Sequence, residues 1–230
     1  MPKYLQNNVI FYEKSSLNRD NIFNNYVELK KEFKKYNYDL STSDINKIED
    51  SEIIIYFDMP KKLPSIDKIG NSYLILRESE LIRPDNYNLE KHNFFSKIFT
   101  WHDQLTDNKK YFKLNFSHFF PKNINKDLSK KEKLCVLISG NKSVNHPLEL
   151  YSKRVEAIRW FEKKHITDFD LYGVGWEKYR FNGSKIINSL NRLPYFPQFF
   201  AKLINQTYPS YNGVVTNKRE IMEKYKFSIC

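Results

Sequence analysis

The chain has 230 residues, with 38 Lys and Arg against 27 Asp and Glu for a formal charge of +11, and 16% of its residues are aromatic. A chain of this size buries about 70% of the surface it exposes when unfolded, and rings that each remove on the order of 150–250 Å² from water supply such a core, so an intrinsically disordered chain is excluded. Two cysteines, Cys135 and Cys230, give neither a disulfide framework nor a metal-ligand spacing, and no apolar run approaches the ~20 residues of a membrane-spanning helix.

The positive balance would attract phosphates, nucleic acid or anionic lipid. The lysines are scattered over helical stretches rather than gathered into a tail, which is the pattern of a solvated surface. A nucleic-acid partner is therefore not expected; affinity falling steeply with salt would be its mark. With no charged-then-apolar leader, the chain reads as cytoplasmic, with peripheral contact at a membrane surface as the one membrane role left to its basic surface.

In chain order, residues 8–13 (NVIFYE) form a short apolar run that reads as a first strand, with Asn18 or Asp20 placed to cap the next segment. A helix is predicted over 21–36, where Ile22, Phe23, Tyr26, Val27, Leu29, Phe33 and Tyr36 recur at three- and four-residue steps. Residues 38–42 read as a second strand and Asp44 as the cap of a turn. Residues 52–58 (EIIIYFD) and 72–78 (SYLILRE) are nearly continuous apolar strands, as in a parallel sheet covered on both faces. Residues 88–95 look helical and 97–101 (KIFTW) strand-like, before a stretch rich in aromatics.

The polar, aperiodic stretch 121–133 (PKNINKDLSKKEK) has the composition of an interdomain linker. Domains are accordingly expected at 1–125 and 134–230, with 126–133 between them. A strand at 134–139 (LCVLIS), a turn at Gly140-Asn141-Lys142, an amphipathic helix over 148–164 and a strand at 168–172 (DFDLY) then come in the order of a nucleotide-binding α/β unit. Gly173 and Gly175 lack the full dinucleotide-loop spacing and read as turn glycines. Residues 178–207 carry no assignable pattern. A turn, a short charged helix and a strand at 225–230 close the chain.

Several candidate chemistries fall away. His92, His102, His118, His146 and His165 have no zinc spacing, and His102-Asp103 reads as a loop pair rather than a dyad. Asp168 and Asp170 alternate along a strand, with one expected to face solvent and neither expected to hold a metal. Strand-end carboxylates remain, because ligands of open α/β sheets bind at the carboxyl ends of strands. Glu78 sits at such an end, with Glu80 as its rival; the other reading is a surface glutamate paired with Arg77 or Arg83. Asn141 could donate to a phosphate near a helix N-terminus or serve only as a turn residue, and Arg154 early in the following helix could meet a diphosphate or be a solvated arginine.

Taken in order, Arg77-Glu78-Ser79 followed by Pro84, Lys97-Ile98-Phe99-Thr100-Trp101, Lys109-Lys110-Tyr111-Phe112-Lys113, Ser139-Gly140-Asn141-Lys142, Leu150-Tyr151-Ser152-Lys153-Arg154, Asp168-Phe169-Asp170-Leu171-Tyr172-Gly173 and Tyr225-Lys226-Phe227 resemble phrases of the family-ten glycosyltransferases, the α-1,3-fucosyltransferases. The resemblance implies an α/β fold of GT-B type: a complete Rossmann-like N-terminal domain on the acceptor side and a Rossmann-like C-terminal domain, incomplete here, for the nucleotide sugar. It implies inverting transfer of fucose from GDP-fucose to a hydroxyl of an oligosaccharide or lipopolysaccharide-type acceptor, with no metal or other cofactor. It gives Glu78 the role of general base, and Asn141 and Arg154 the roles of donor contacts. The family's Glu-Asn and Thr-Glu-Lys signatures, which come after Tyr-Lys-Phe, do not appear, so weak or absent turnover by this chain alone is expected; a non-catalytic carbohydrate-binding remnant is the alternative.

Overall fold

The computed structural model describes residues 5–18, 21–116, 127–181, 183–204 and 206–229. The proposed cap Asp20, Cys230, and the 121–126 part of the polar stretch lie outside these. The chain divides into two units, Met1–Lys122 and Asn123–Cys230, and both are mixed α/β with parallel sheets.

In the first unit the predicted helix forms as α1 (Asn24–Lys35), with Phe23 and Val27 buried on its inner face. Asn18 starts it: its Oδ1 accepts from Phe23 N at 2.7 Å while its Nδ2 donates to Glu13 O at 2.8 Å. Four strands, β1 (Ile54–Phe57), β2 (Ser72–Leu76), β3 (Lys97–Thr100) and β4 (Tyr111–Lys113), pair in the order β1-β2-β3-β4, every pair parallel. Met59, Leu74, Leu76, Phe95 and Ile98 form the core beneath them.

Residues 8–13 are not a strand. Asn7 and Asn8 take left-handed backbone (φ 58 and 62) and turn the chain into a 3-10 helix, Val9–Phe11. The 38–42 stretch makes no ladder either, because its polar groups bond that turn: Thr42 N donates to Asn8 Oδ1 at 2.8 Å and Asn8 N to Thr42 Oγ1 at 3.1 Å. The crossovers also differ from a Rossmann unit. They are built from 3-10 helices, Ile66–Asn71, Pro84–Tyr87, Lys91–Phe94 and Asp103–Leu105, so the helix expected over 88–95 forms only as a four-residue 3-10 turn; Pro60, Pro64 and Pro84 and the short polar connections leave no room for a longer one.

In the second unit β5 (Lys133–Ile138) is central, with β6 (Phe169–Tyr172) on one edge and β7 (Tyr225–Ile229) on the other, all parallel. Between β5 and β6 runs α2 (Tyr151–Lys164), whose Ile158 joins Cys135, Leu137, Phe169, Leu171 and Trp176 in the core. Residues 210–212 lie along the far edge of β6, with Leu171 N donating to Ser210 O and Asn212 N to Leu171 O, both at 2.8 Å. Asp170 is buried, and Asp168 is the exposed member of that pair. The Asp170 carboxylate accepts from Lys133 Nζ (2.8 Å), from Asn212 Nδ2 (2.7 Å) and from the Tyr225 hydroxyl. This network ties β5, β6, β7 and the 210–212 segment together.

The unassigned 178–207 region forms α3 (Lys185–Ser189), a 3-10 turn (Leu190–Arg192) and α4 (Phe196–Leu203). The short charged helix before β7 is α5 (Lys218–Met222). The stretch read as a linker is, from residue 127 on, bonded to this unit: Asp127 caps a 3-10 turn through Ser129 N (2.9 Å), Glu132 N donates to Lys224 O (2.8 Å) and Lys131 Nζ to Glu223 O (2.7 Å). Its polar composition is that of an exposed lead-in to β5. No helix among the described residues is long and apolar enough to cross a membrane.

Candidate functional site

Parallel strands present their carboxyl ends, and the loops that leave them, to ligands. In the first unit those ends are held by one buried side chain. Asp58, just past β1, has left-handed backbone (φ 59), and its Oδ1 accepts from Arg77 N (2.8 Å), Glu78 N (3.0 Å) and Asn86 Nδ2 (2.8 Å). Asn86, fully buried, completes the brace: its Oδ1 accepts from Met59 N (2.7 Å) and its Nδ2 donates also to Glu78 O (3.1 Å). His92 in turn holds Asn86. The Asn86 carbonyl only accepts, so the His92 Nε2 at 2.8 Å carries the proton, and Nδ1 accepts from the Tyr111 hydroxyl at 2.9 Å. Burial holds the His92 pKa below its ordinary value.

Glu78 is thus fixed through its main chain on both sides, N–H to Asp58 and C=O to Asn86, while its half-buried carboxylate has no hydrogen-bond or ion-pair partner among the described residues. The two arginines that could have paired with it are engaged elsewhere. Arg77 lies over the rings of Tyr26 (5.7 Å) and Phe57 (6.0 Å), and Arg83 grips Asp85 through two nitrogens at 3.0 and 2.9 Å while donating to Met59 O. Glu80 is exposed. The Tyr87 phenol is held above its ordinary pKa by burial first and then by the charges of Glu80 and Asp58. Here too lies His102, between the rings of Tyr87 (6.0 Å) and Trp101 (5.6 Å), its buried Nδ1 without a partner among the described residues. Asp103 instead binds Lys113 at 2.5 Å, so His102 and Asp103 form no dyad.

In the second unit the chain leaves β5 for β6 on one side and returns to β7 on the other, so the carboxyl end of β5 is a topological switch point, the place where open α/β sheets bind ligands. The loop after it, Ser139-Gly140-Asn141-Lys142, packs against the turn after β6. Gly173 has φ 136, and a Cβ there would fall 1.8 Å from Ser139 O. Trp176 Nε1 donates to the same carbonyl at 2.7 Å.

Asn141 donates to that turn twice, N to Val174 O (2.9 Å) and Nδ2 to Gly175 O (3.0 Å), and its carbonyl accepts from Arg180 (3.0 Å). Beside it opens a cavity of about 340 Å³ lined by Asn141, Lys142, Tyr151, Lys178, Arg180 and Tyr208 among others. Three cations, one of them (Lys178) paired with Glu177 at 3.5 Å, outnumber the single carboxylate on the lining, Glu149, and with the flat faces of Asn141, Tyr151 and Tyr208 they suit an anionic ligand with a planar ring.

The structure brings Asn141 to this cavity but leaves Arg154 off its lining: Arg154 lies along α2 with its guanidinium over the Tyr151 ring at 5.5 Å. Lys178 and Arg180 take the cationic place. They come after the Gly-Val-Gly-Trp turn in the stretch that periodicity left unassigned, and their alternation just past a strand end was the one available signal. The N-terminus of α2 also faces the cavity, but the Glu149 carboxylate already accepts from Tyr151 N (2.5 Å) and Ser152 N (3.0 Å). Bonds from Ser152 and Tyr151 hold its pKa below the usual carboxylate range.

Asp170 does not open a metal site, because its oxygens already hold an ammonium, an amide and a phenol, and no group of three or more metal-ligating side chains occurs among the described residues. Compared with known proteins, the chain matches no family model, no curated protein and no solved structure.

Proposed function

We propose that the protein is an inverting fucosyltransferase of GT-B type, moving fucose from GDP-fucose to a hydroxyl of a glycan acceptor, with Glu78 as general base and the basic cavity beside Asn141 as the nucleotide subsite. The observation that carries the reading is the pairing of a pinned main chain with an unpaired carboxylate at Glu78. A general base needs that combination: fixed position, free oxygens, partial desolvation. In the reaction the acceptor oxygen bonds to the sugar's anomeric carbon as the bond to the diphosphate breaks; the acceptor proton goes to Glu78, and the electron pair leaves with GDP. Within the second unit, Lys142, Lys178 and Arg180 line a cavity whose cations suit the diphosphate of a nucleotide sugar, and the transfer that the resemblance implies requires no metal. The order of motif-like phrases along the chain supports the same reading.

A non-catalytic glycan-binding protein is the second reading, favoured by one specific observation: Glu149 covers the helix N–H groups that a phosphate would use. Isothermal titration separates the two. GDP and GDP-fucose are expected to compete for one site that Arg180→Ala weakens about tenfold or more, as for loss of a charge-assisted bond. Glu78→Gln is expected to leave nucleotide affinity unchanged while lowering any GDP release by about 10²–10⁴. Oligosaccharide binding by a chain that ignores both nucleotides would replace the first reading with the second.

A further inference from the structure

The segment from Lys178 to Arg219 contains Lys178, Arg180, Lys185, Arg192, Lys202, Lys218 and Arg219 and no aspartate or glutamate. Within it, α4 is apolar on two opposite faces. Pro197 and Ala201 are buried, and Phe196 and Phe200 close on the rings of Tyr179 and Phe181, with Phe181 and Phe196 stacked at 5.6 Å and Tyr179 and Phe200 edge-on at 4.9 Å. The opposite face is a stripe at four-residue spacing, Tyr195, Phe199 and Leu203, which are 81%, 62% and 67% exposed.

Ile186 and Leu193, also exposed, extend that stripe across α3 and the turn after it. Lys185, Arg192 and Lys202 flank it, exposed and with no ion-pair partner for their side chains among the described residues. Tyr195 itself takes left-handed backbone (φ 61), a conformation rare for a bulky residue and one that points to function when structure enforces it.

A helix with a second, exposed apolar face leaves that face to be covered by something outside the fold. The flanking charge says what covers it: large exposed apolar groups flanked by three cations, in a segment with no carboxylate, and long stems that let the charged heads rise to a polar layer match the boundary between acyl chains and anionic headgroups. We propose that the α3–α4 segment docks the protein onto an anionic lipid surface. Tyr195, Phe199 and Leu203 enter the headgroup boundary, and Lys185, Arg192 and Lys202 meet lipid phosphates. A single two-turn helix gives a shallow, reversible attachment. The proposal stands apart from the transferase reading, because it uses none of the residues assigned there to chemistry.

Co-sedimentation with vesicles of mixed phosphatidylglycerol and phosphatidylcholine, against pure phosphatidylcholine, tests it. The chain is expected to pellet only with the anionic vesicles. Phe199→Ser with Leu203→Ser should reduce partitioning tenfold or more, and Lys185→Gln or Lys202→Gln about fivefold each. Lys31→Gln, Lys34→Gln and Lys35→Gln, together on the exposed face of α1, should leave it within about twofold. Should the double serine variant fail to fold by circular dichroism, the two exposed glutamine changes carry the test. Equal losses from the α1 and α4 changes would reduce binding to diffuse charge and overturn the proposal. So would absence of pelleting, or a wild-type dimer in sedimentation velocity that the serine variant dissolves while vesicles are ignored.

Discussion

Removing the Asn86 side chain tests whether the brace behind Glu78 is energetic or incidental. Asn86→Ala deletes three bonds: from Met59 N, to Asp58 Oδ1 and to Glu78 O. Asp58 keeps two backbone donors, Arg77 N and Glu78 N, so the cost falls on Met59 N, orphaned where the chain is fully buried, and on Glu78 O, orphaned where it is partly buried. At about 1–3 kcal/mol each, the variant should lose about 2–6 kcal/mol, toward the lower figure if water enters the space. That is a large part of the ~5–15 kcal/mol that holds a domain. Asn86→Asp should be worse at neutral pH. It keeps the acceptor for Met59 N but puts a second carboxylate oxygen where the amide nitrogen now sits, 2.8 Å from Asp58, and the pair must share a proton. Its stability should therefore recover as pH falls, unlike that of the alanine variant. Urea unfolding monitored through Trp101, whose Nε1 bonds Arg77 O at 3.2 Å, with hydrogen exchange at Met59 and Glu78, measures both. If the two variants unfold within about 0.5 kcal/mol of wild type, or the aspartate variant is the more stable at neutral pH, the brace does not hold this loop.

Three further outcomes are expected from the same geometry. The depressed His92 pKa, caused chiefly by burial, means that the unfolded chain binds the proton more readily; the contribution of this ring is complete above about pH 6.5 and lost as pH falls below it. His92→Gln should flatten that part of the stability-against-pH curve, and an unchanged slope would assign it to other groups. Glu149→Ala should uncover Tyr151 N and Ser152 N, weakening the start of α2 while tightening binding of inorganic phosphate or GDP several-fold by titration; unchanged anion affinity would mean that this helix end is no subsite. Asp170→Asn should cost about 1–3 kcal/mol, discounted for the partly exposed Lys133. It should also speed hydrogen exchange in β7, because Tyr225, whose phenol is held well above its ordinary pKa by burial and by Asp170, loses its anchor; unaltered exchange there would show that backbone pairing with β5 suffices.

The strands written as apolar runs were legible from the sequence: IIYF, SYLIL, KIFT, KLCVLI and FDLY form, and YKFSI forms too, though not as a buried strand, since only Tyr225 is buried and residues 226–228 are exposed. A buried parallel strand writes its whole environment into its own composition. NVIFYE failed because its fate is set by two left-handed asparagines and by Thr42, a partner 34 residues away in sequence. The crossovers failed for a related reason: a 3-10 turn has too few residues to show a period. At the candidate site, Glu78 could be read as a strand-end carboxylate, but its support could not. Asn86 sits in a Pro-Asp-Asn-Tyr turn that looks local, and only the fold brings it to Asp58 and Met59. Arg180 went unnoticed because it lies in a stretch with no period, and its place at the cavity depends on the turn of Gly173 and Gly175.

The contact at Gly173 reaches beyond packing. With only a hydrogen between the turn after β6 and the carbonyl of Ser139, the two loops have no slack and must travel as one body. Lys142 and the root of Arg180, which donates to Asn141 O at 3.0 Å, therefore stand on one joined pair of loops. In a saturation-mutagenesis screen, position 173 would therefore be as intolerant as a reacting group, although it has no side chain to react.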